Sequence, residues 1–165
     1  MSQVAVGHDV KEEASSPEHR PLPGAILFAC TLNAIRSPMA AAIFKHLTGR
    51  RVYVESAGVR PGERDPFVAA VMDEIGIDMS GHTPHAINDL QDTSFDLIIT
   101  LSPEAHHQAL ELTRTMAVDV EYWPTLDPSF VMGNREQILA SYRTVRDQLF
   151  NRIKQRFGLT GGPSV

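Results

Sequence analysis

Cys30 is the only cysteine among 165 residues. A lone thiol closes no intramolecular disulfide, which excludes a stapled secreted scaffold and an internal dithiol relay. It equally excludes a Cys-x-x-Cys or Cys/His structural zinc site. Excess charge of one sign is also missing: 15 Lys and Arg against 20 Asp and Glu leave a net charge of −5. That balance gives no attraction to nucleic acid or to an anionic membrane surface. No apolar run approaches the ~18–20 residues that a bilayer span requires. The first two dozen residues carry acids, prolines and a histidine but no apolar signal-peptide core. The sequence therefore predicts a cytoplasmic protein.

What is present is ordinary for a globular enzyme. Hydrophobic residues at 42% and charged residues at 21% suit one domain with a real core. Residues 1–24 are polar, proline-punctuated and without period, and predict a disordered tail; 158–165 predict a flexible one. Between them, residues 25–157 read as a single catalytic domain. Apolar runs at 25–29, 52–55, 95–100 and 118–123 read as strands. Ser37-Pro38, Asp65-Pro66 and Ser102-Pro103 each pair a capping residue with a first-turn proline, and predict helix starts. The helices close near Gly49, Gly76 and residue 116, and a long helix spans 135–157. Strand–helix alternation predicts an α/β fold, a four-stranded parallel sheet with helices on both faces.

In such sheets ligands bind beyond the carboxyl ends of strands. Two chemically interesting residues fall there: Cys30 after the first strand and Asp127 after the fourth. The run Cys30-Thr31-Leu32-Asn33-Ala34-Ile35-Arg36-Ser37 joins a strand to a helix. Such a loop can turn the N–H groups of Thr31, Leu32, Asn33, Ala34 and Ile35 inward as an anion nest. The following helix aims its positive end at the same point, and Arg36 adds a planar fork for two oxygens. Thiolates act as nucleophiles in surroundings of this kind. Ser37 has two competing uses, donating its hydroxyl to the sulfur or capping the helix. Asn33 tolerates a left-handed backbone. Asp127, held extended by Pro128, is the candidate acid for a leaving group.

Other constellations carry less. His106 and His107 are adjacent on a helix, about 100° apart, and do not share one ion; no metal and no cofactor is expected. Asp65, Asp92 and Asp96 suit caps and surfaces. Arg143, Arg146, Asp147 and Arg152 on the last helix read as a solvated face.

The chain resembles the low-molecular-weight protein tyrosine phosphatases and the related single-domain arsenate reductases over roughly residues 25–157. The resemblance rests on 30–39, Glu55-Ser56-Ala57-Gly58, 76–82, 96–101 and Asp127-Pro128, in that order. It implies a flavodoxin-like strand order and a phosphocysteine intermediate. It further implies Cys30 as nucleophile, Arg36 as oxyanion clamp and Asp127 as the acid that later activates water. Asn33, Ser37, Ser56 and His82 would form a supporting network beneath the loop. The substrate would lie against residues 31–35 and Ser37, with Phe130 beside it.

Three departures accompany the likeness. Ile35 stands where the family has a second loop cysteine, and Leu32 where it has a glycine. Ser129 and Phe130 follow Asp127-Pro128 in place of two tyrosines. The segment 120–147 looks more like the reductase branch, yet Ser102 occupies the place of a relay cysteine. The leading expectation is a phosphomonoester phosphatase, with phosphotyrosine as one candidate substrate. The second is arsenate reduction completed by an external thiol or a glutaredoxin-type partner. The third is a non-catalytic module that binds an oxyanion or a partner. The partner is accordingly a phosphorylated small molecule, a phosphoprotein or arsenate, with no role for nucleic acid or membrane.

Overall fold

The structure is a computed structural model and describes residues 22–160. Four strands, β1 (Ala25–Cys30), β2 (Tyr53–Gly58), β3 (Leu97–Thr100) and β4 (Asp119–Tyr122), form one sheet in the order β2-β1-β3-β4. All three pairings are parallel, as strand–helix alternation requires. The helices are α1 (Arg36–Thr48), α2 (Pro66–Asp73), α3 (Pro103–Leu112) and α4 (Arg135–Phe157). The flavodoxin-like expectation is thus met.

β1 lies centrally and buries both faces. Ile26, Phe28 and Cys30 point into one core with Met39, Ile43 and Phe44 of α1, Val71 and Met72 of α2, and Leu149 and Ile153 of α4. Leu27 and Ala29 point the other way, onto Ala105 and Ala109 of α3. The period-two alternation of the strand places Cys30 on the α1 side. Burying one such large apolar side chain stabilises the fold by about 1.5–3 kcal/mol. That apolar anchoring fixes the strand end from which the Cys30 loop springs.

The helix ends follow local chemistry. Asp65 caps α2 by accepting the Phe67 N–H, and Ser102 caps α3 by accepting that of Ala105. Asn134 and Gln137 form a reciprocal capping box at the start of α4, and Gly158 closes it in a left-handed conformation. α1 departs from expectation: it begins at Arg36, its N-cap is Ile35, and no side chain caps it. α3 stops at Leu112, four residues early, where the Thr113 hydroxyl bonds the Leu110 carbonyl at 2.6 Å.

One further reading is corrected. Arg146 is buried, not solvated. It donates to the Val71 carbonyl at 2.7 Å and to Glu74 at 2.8 Å, while Arg143 meets Glu74 from outside at 2.9 Å. The Arg143 hydrogen bond, joined by that of Arg146, holds the Glu74 carboxyl below its usual range against a burial effect that raises it. These arginines moor α4 to the end of α2. The expected tails at 1–24 and 158–165 lie largely outside the described residues; within them, Leu22 and Leu159 pack against the core.

Candidate active site

The loop from Cys30 to Arg36 crosses the carboxyl end of the sheet, between its two central strands and α1. Among the described residues, the backbone N–H groups of residues 31–37 donate to no protein acceptor. A run of free N–H groups at a helix start is an anion nest, and the positive end of α1 adds to its field. Cys30 is 2% exposed, with its sulfur 3.0 Å from the Ser37 hydroxyl.

Asn33 organises the loop from beneath, and every polar atom of its side chain is used. Its amide nitrogen donates to Ser37 Oγ and to Ser56 Oγ, both at 2.9 Å. Its amide oxygen accepts the His85 N–H at 3.0 Å. Its backbone carbonyl lies 2.8 Å from His82 Nε2; a carbonyl only accepts, so Nε2 carries the proton. Burial draws the His82 imidazole below its ordinary value although the Asn33 hydrogen bond works the other way. Ser37 Oγ accepts from Asn33, which leaves its single proton for the Cys30 sulfur at 3.0 Å or the Ala57 carbonyl at 3.4 Å. Of its two expected uses the cap is ruled out, because Ser37 already lies inside α1. Asn33, Ser37, Ser56 and His82 are therefore brought together, and His85 joins them through its backbone.

Among the described residues Asn33 is the only non-glycine with positive φ, at 56°. Leu32 thus needs no glycine-like backbone; the left-handed turn sits one residue later, where Asn tolerates it. The adjacent strand supplies the close approach instead. A Cβ on Gly58 would lie 2.7 Å from the Asn33 nitrogen, 2.8 Å from the Leu32 carbonyl carbon and 2.8 Å from the Thr31 oxygen. All three contacts are backbone and cannot yield cheaply. Gly58→Ala is expected to lower stability by about 1–3 kcal/mol and to distort the loop. Gly81→Ala, whose Cβ meets nothing within 4 Å, is the control. Thermal melts and oxyanion titrations of both variants check this; equal behaviour would show that the β2–loop contact relaxes freely.

Arg36 is tied at one corner. Its Nη1 donates to the Thr125 carbonyl at 2.9 Å and the Leu101 carbonyl at 3.4 Å. The remaining edge, Nε and Nη2, has no hydrogen bond among the described residues, and Nη2 stands 3.6 Å from Asp127 Oδ2. Such an edge matches two oxygens of a tetrahedral oxyanion. Asp127 leads a short 3-10 turn, Pro128–Phe130, and its Oδ1 accepts both the N–H and the hydroxyl of Ser129. Phe130 projects into solvent at 80% exposure, with Leu126 and Met132 exposed nearby in the chain. Ser102 accepts the Thr31 hydroxyl at 2.9 Å and so pins the loop's first residue.

The remaining candidates have structural duties. Asp65 caps α2 and accepts the Tyr142 hydroxyl at 2.6 Å, and Asp96 binds the Gly24 and Ala25 N–H groups at the opposite end of β1. His106 Nδ1 bonds Thr100 at 2.9 Å. A cleft of about 810 Å³ runs beside α1 past Glu55, Ser56, His82 and His85 and does not include Cys30 or Arg36. Sequence reasoning gave no site role to Gly58, Ser102 or Ser129, nor to the two carbonyls that hold Arg36, although the three residues stood in segments it singled out.

The carboxyl end of the parallel sheet thus carries a buried cysteine on a loop of unpaired N–H groups, an arginine on the same loop and a carboxylate at the rim. The chain belongs to the low molecular weight phosphotyrosine protein phosphatase family, which it matches over residues 25–157. It is 35% identical over 136 residues to an arsenate reductase of Bacillus subtilis (strain 168), covering 82% of this chain and 96% of that one. It is 31% identical over 130 residues to a glutaredoxin arsenate reductase of Synechocystis, covering 78% and 92%. The solved structure of an arsenate reductase in the phosphate binding state superposes with a TM-score of 0.63 at 28% identity, covering 81% and 96%. All three of these relatives are arsenate reductases. Among the described residues no helix is long and apolar enough to cross a membrane.

Proposed function

We propose that the chain hydrolyses phosphomonoesters through a phosphocysteine on Cys30. One observation carries the choice within the family: a single cysteine shares its site with a rim carboxylate, and hydrolysis needs no second thiol. The Cys30 sulfur attacks phosphorus in line as the ester oxygen departs with its electron pair. The N–H groups of residues 31–37 and the free edge of Arg36 hold the three equatorial oxygens. Asp127 gives its proton to the leaving oxygen. Its carboxylate then takes a proton from water, which attacks phosphorus and releases inorganic phosphate and the Cys30 thiolate. Ser37, donating to the sulfur, supports it as leaving group in this second step.

The identity to arsenate reductases supports a second reading. There Cys30 displaces a hydroxyl of arsenate, and an external thiol attacks the Cys30 sulfur. The sulfur–arsenic electron pair leaves as arsenite, and a mixed disulfide remains on Cys30. Ser102 offers no relay thiol, so the reductant must come from outside the chain.

One experiment separates the two. Purified protein is given aryl phosphates and a phosphotyrosine peptide, and in parallel arsenate with glutathione and glutaredoxin or with thioredoxin. Hydrolysis with negligible arsenite, and a phosphorylated Cys30 peptide by mass spectrometry, is the expected result. Robust arsenite with one thiol system, with Cys30 recovered as a mixed disulfide and negligible hydrolysis, would establish the second reading instead.

A further inference from the structure

We infer that Ser129 is a positioning residue for the acid step: it decides which oxygen of Asp127 carries the transferable proton. The inference rests on the phosphatase reading above. A carboxylic acid has two oxygens, and only the one facing the leaving group serves. Asp127 Oδ1 lies 2.9 Å from the Ser129 backbone nitrogen and 2.7 Å from the Ser129 hydroxyl. The N–H can only donate, and with the hydroxyl donating too, Oδ1 is an acceptor twice over. An oxygen accepting two hydrogen bonds is the carbonyl oxygen of the protonated acid, so the proton resides on Oδ2. That is the oxygen turned toward the loop, 3.6 Å from Arg36 Nη2.

The backbone N–H alone would not lock this arrangement, because it tolerates rotation of the carboxyl about its Cβ–Cγ bond. The short hydroxyl contact adds the second point that distinguishes the two oxygens. Ser129 is exposed, and among the described residues its hydroxyl bonds Asp127 alone. In the transfer, the Oδ2–H bond breaks as the departing ester oxygen gains the proton, and the charge left on Asp127 is met by the two Ser129 donors. The same donors then hold Oδ1 while Oδ2 removes a proton from the attacking water.

The test compares Ser129→Ala, Ser129→Thr and Asp127→Asn, each alone, and Ser129→Ala combined with Asp127→Asn. Substrates are phenyl phosphate, a poor leaving group, and p-nitrophenyl phosphate, a better one. Ser129→Ala is expected to lower kcat/KM, which reports the leaving-group step alone, about tenfold on phenyl phosphate, the loss of one hydrogen bond to a charging group. Its effect on kcat/KM for p-nitrophenyl phosphate should be small. Ser129→Thr, which keeps the hydroxyl, should restore kcat/KM, and Ser129→Ala should add nothing to Asp127→Asn. An equal loss on both substrates, no rescue by threonine, or a further loss in the Asp127→Asn background would overturn the assignment while leaving the phosphatase reading intact. Absence of hydrolysis by the unmodified protein would instead overturn that reading and this one with it.

Discussion

Cys30→Ser is expected to abolish turnover, with kcat falling by about 10⁴-fold or more, while oxyanion binding survives. A serine hydroxyl is a weak nucleophile without an adjacent general base, and the loop supplies none: Ser37 and Asn33 only donate or accept within the network. The binding groups, however, do not depend on the sulfur. The N–H groups of residues 31–37 are set by the turn at Asn33, and Arg36 is held by the Thr125 and Leu101 carbonyls. Serine is smaller than cysteine and finds the Ser37 hydroxyl as a partner, so the buried site is not left unsatisfied. Phosphate or vanadate affinity should therefore stay within about threefold, a difference below 1 kcal/mol. Aryl phosphate assays and calorimetric titration measure the two quantities on one preparation. Hydrolysis surviving in the variant would remove Cys30 from the mechanism, whereas loss of both turnover and binding would point to a collapsed loop.

Asp127→Asn carries the second-largest effect and is selective. For poor leaving groups the missing proton should cost about 10²- to 10⁴-fold in kcat/KM, which reports the first step. For good leaving groups the bond breaks without protonation, and the loss in the first step should be small. Asparagine retains an oxygen for the two Ser129 donors, so the turn at Pro128–Phe130 is preserved. It also removes a negative charge 3.6 Å from Arg36, beside the place where an anionic substrate would bind. KM should accordingly stay level or fall. A series of aryl phosphates of graded leaving-group acidity reads this as a steeper dependence of rate on leaving group. A uniform loss of kcat/KM across the series would remove Asp127 from the leaving-group step.

The contrast between legible and hidden features is physical. The helix starts at Asp65-Pro66 and Ser102-Pro103 were readable because a cap and a first-turn proline act within four residues. The same grammar misplaced Ser37, since the chemistry that claimed its hydroxyl came from Asn33 and Cys30, brought in by the loop. Arg146 read as exposed because helix periodicity does not record that α2 ends against it. Leu32 stood out against the family pattern, yet the strained position is Asn33, and only backbone angles show which residue takes the turn.

The sequence by itself determined the α/β architecture, the strand order through its likeness to a family, and the presence of one thiol and one arginine on a strand-to-helix loop. Those features are local or compositional: hydrophobic period, proline and glycine punctuation, a count of cysteines. Only the tertiary structure decided what the loop rests on and what faces it. Ser56, Gly58, His82, Ser102, Thr125 and Asp127 reach the site from four separate segments of chain. Their approach depends on parallel strands stacking in register and on α1 and α4 packing over Phe28 and Ile26. Contacts of that kind are made by distance in space, which no short window of sequence contains.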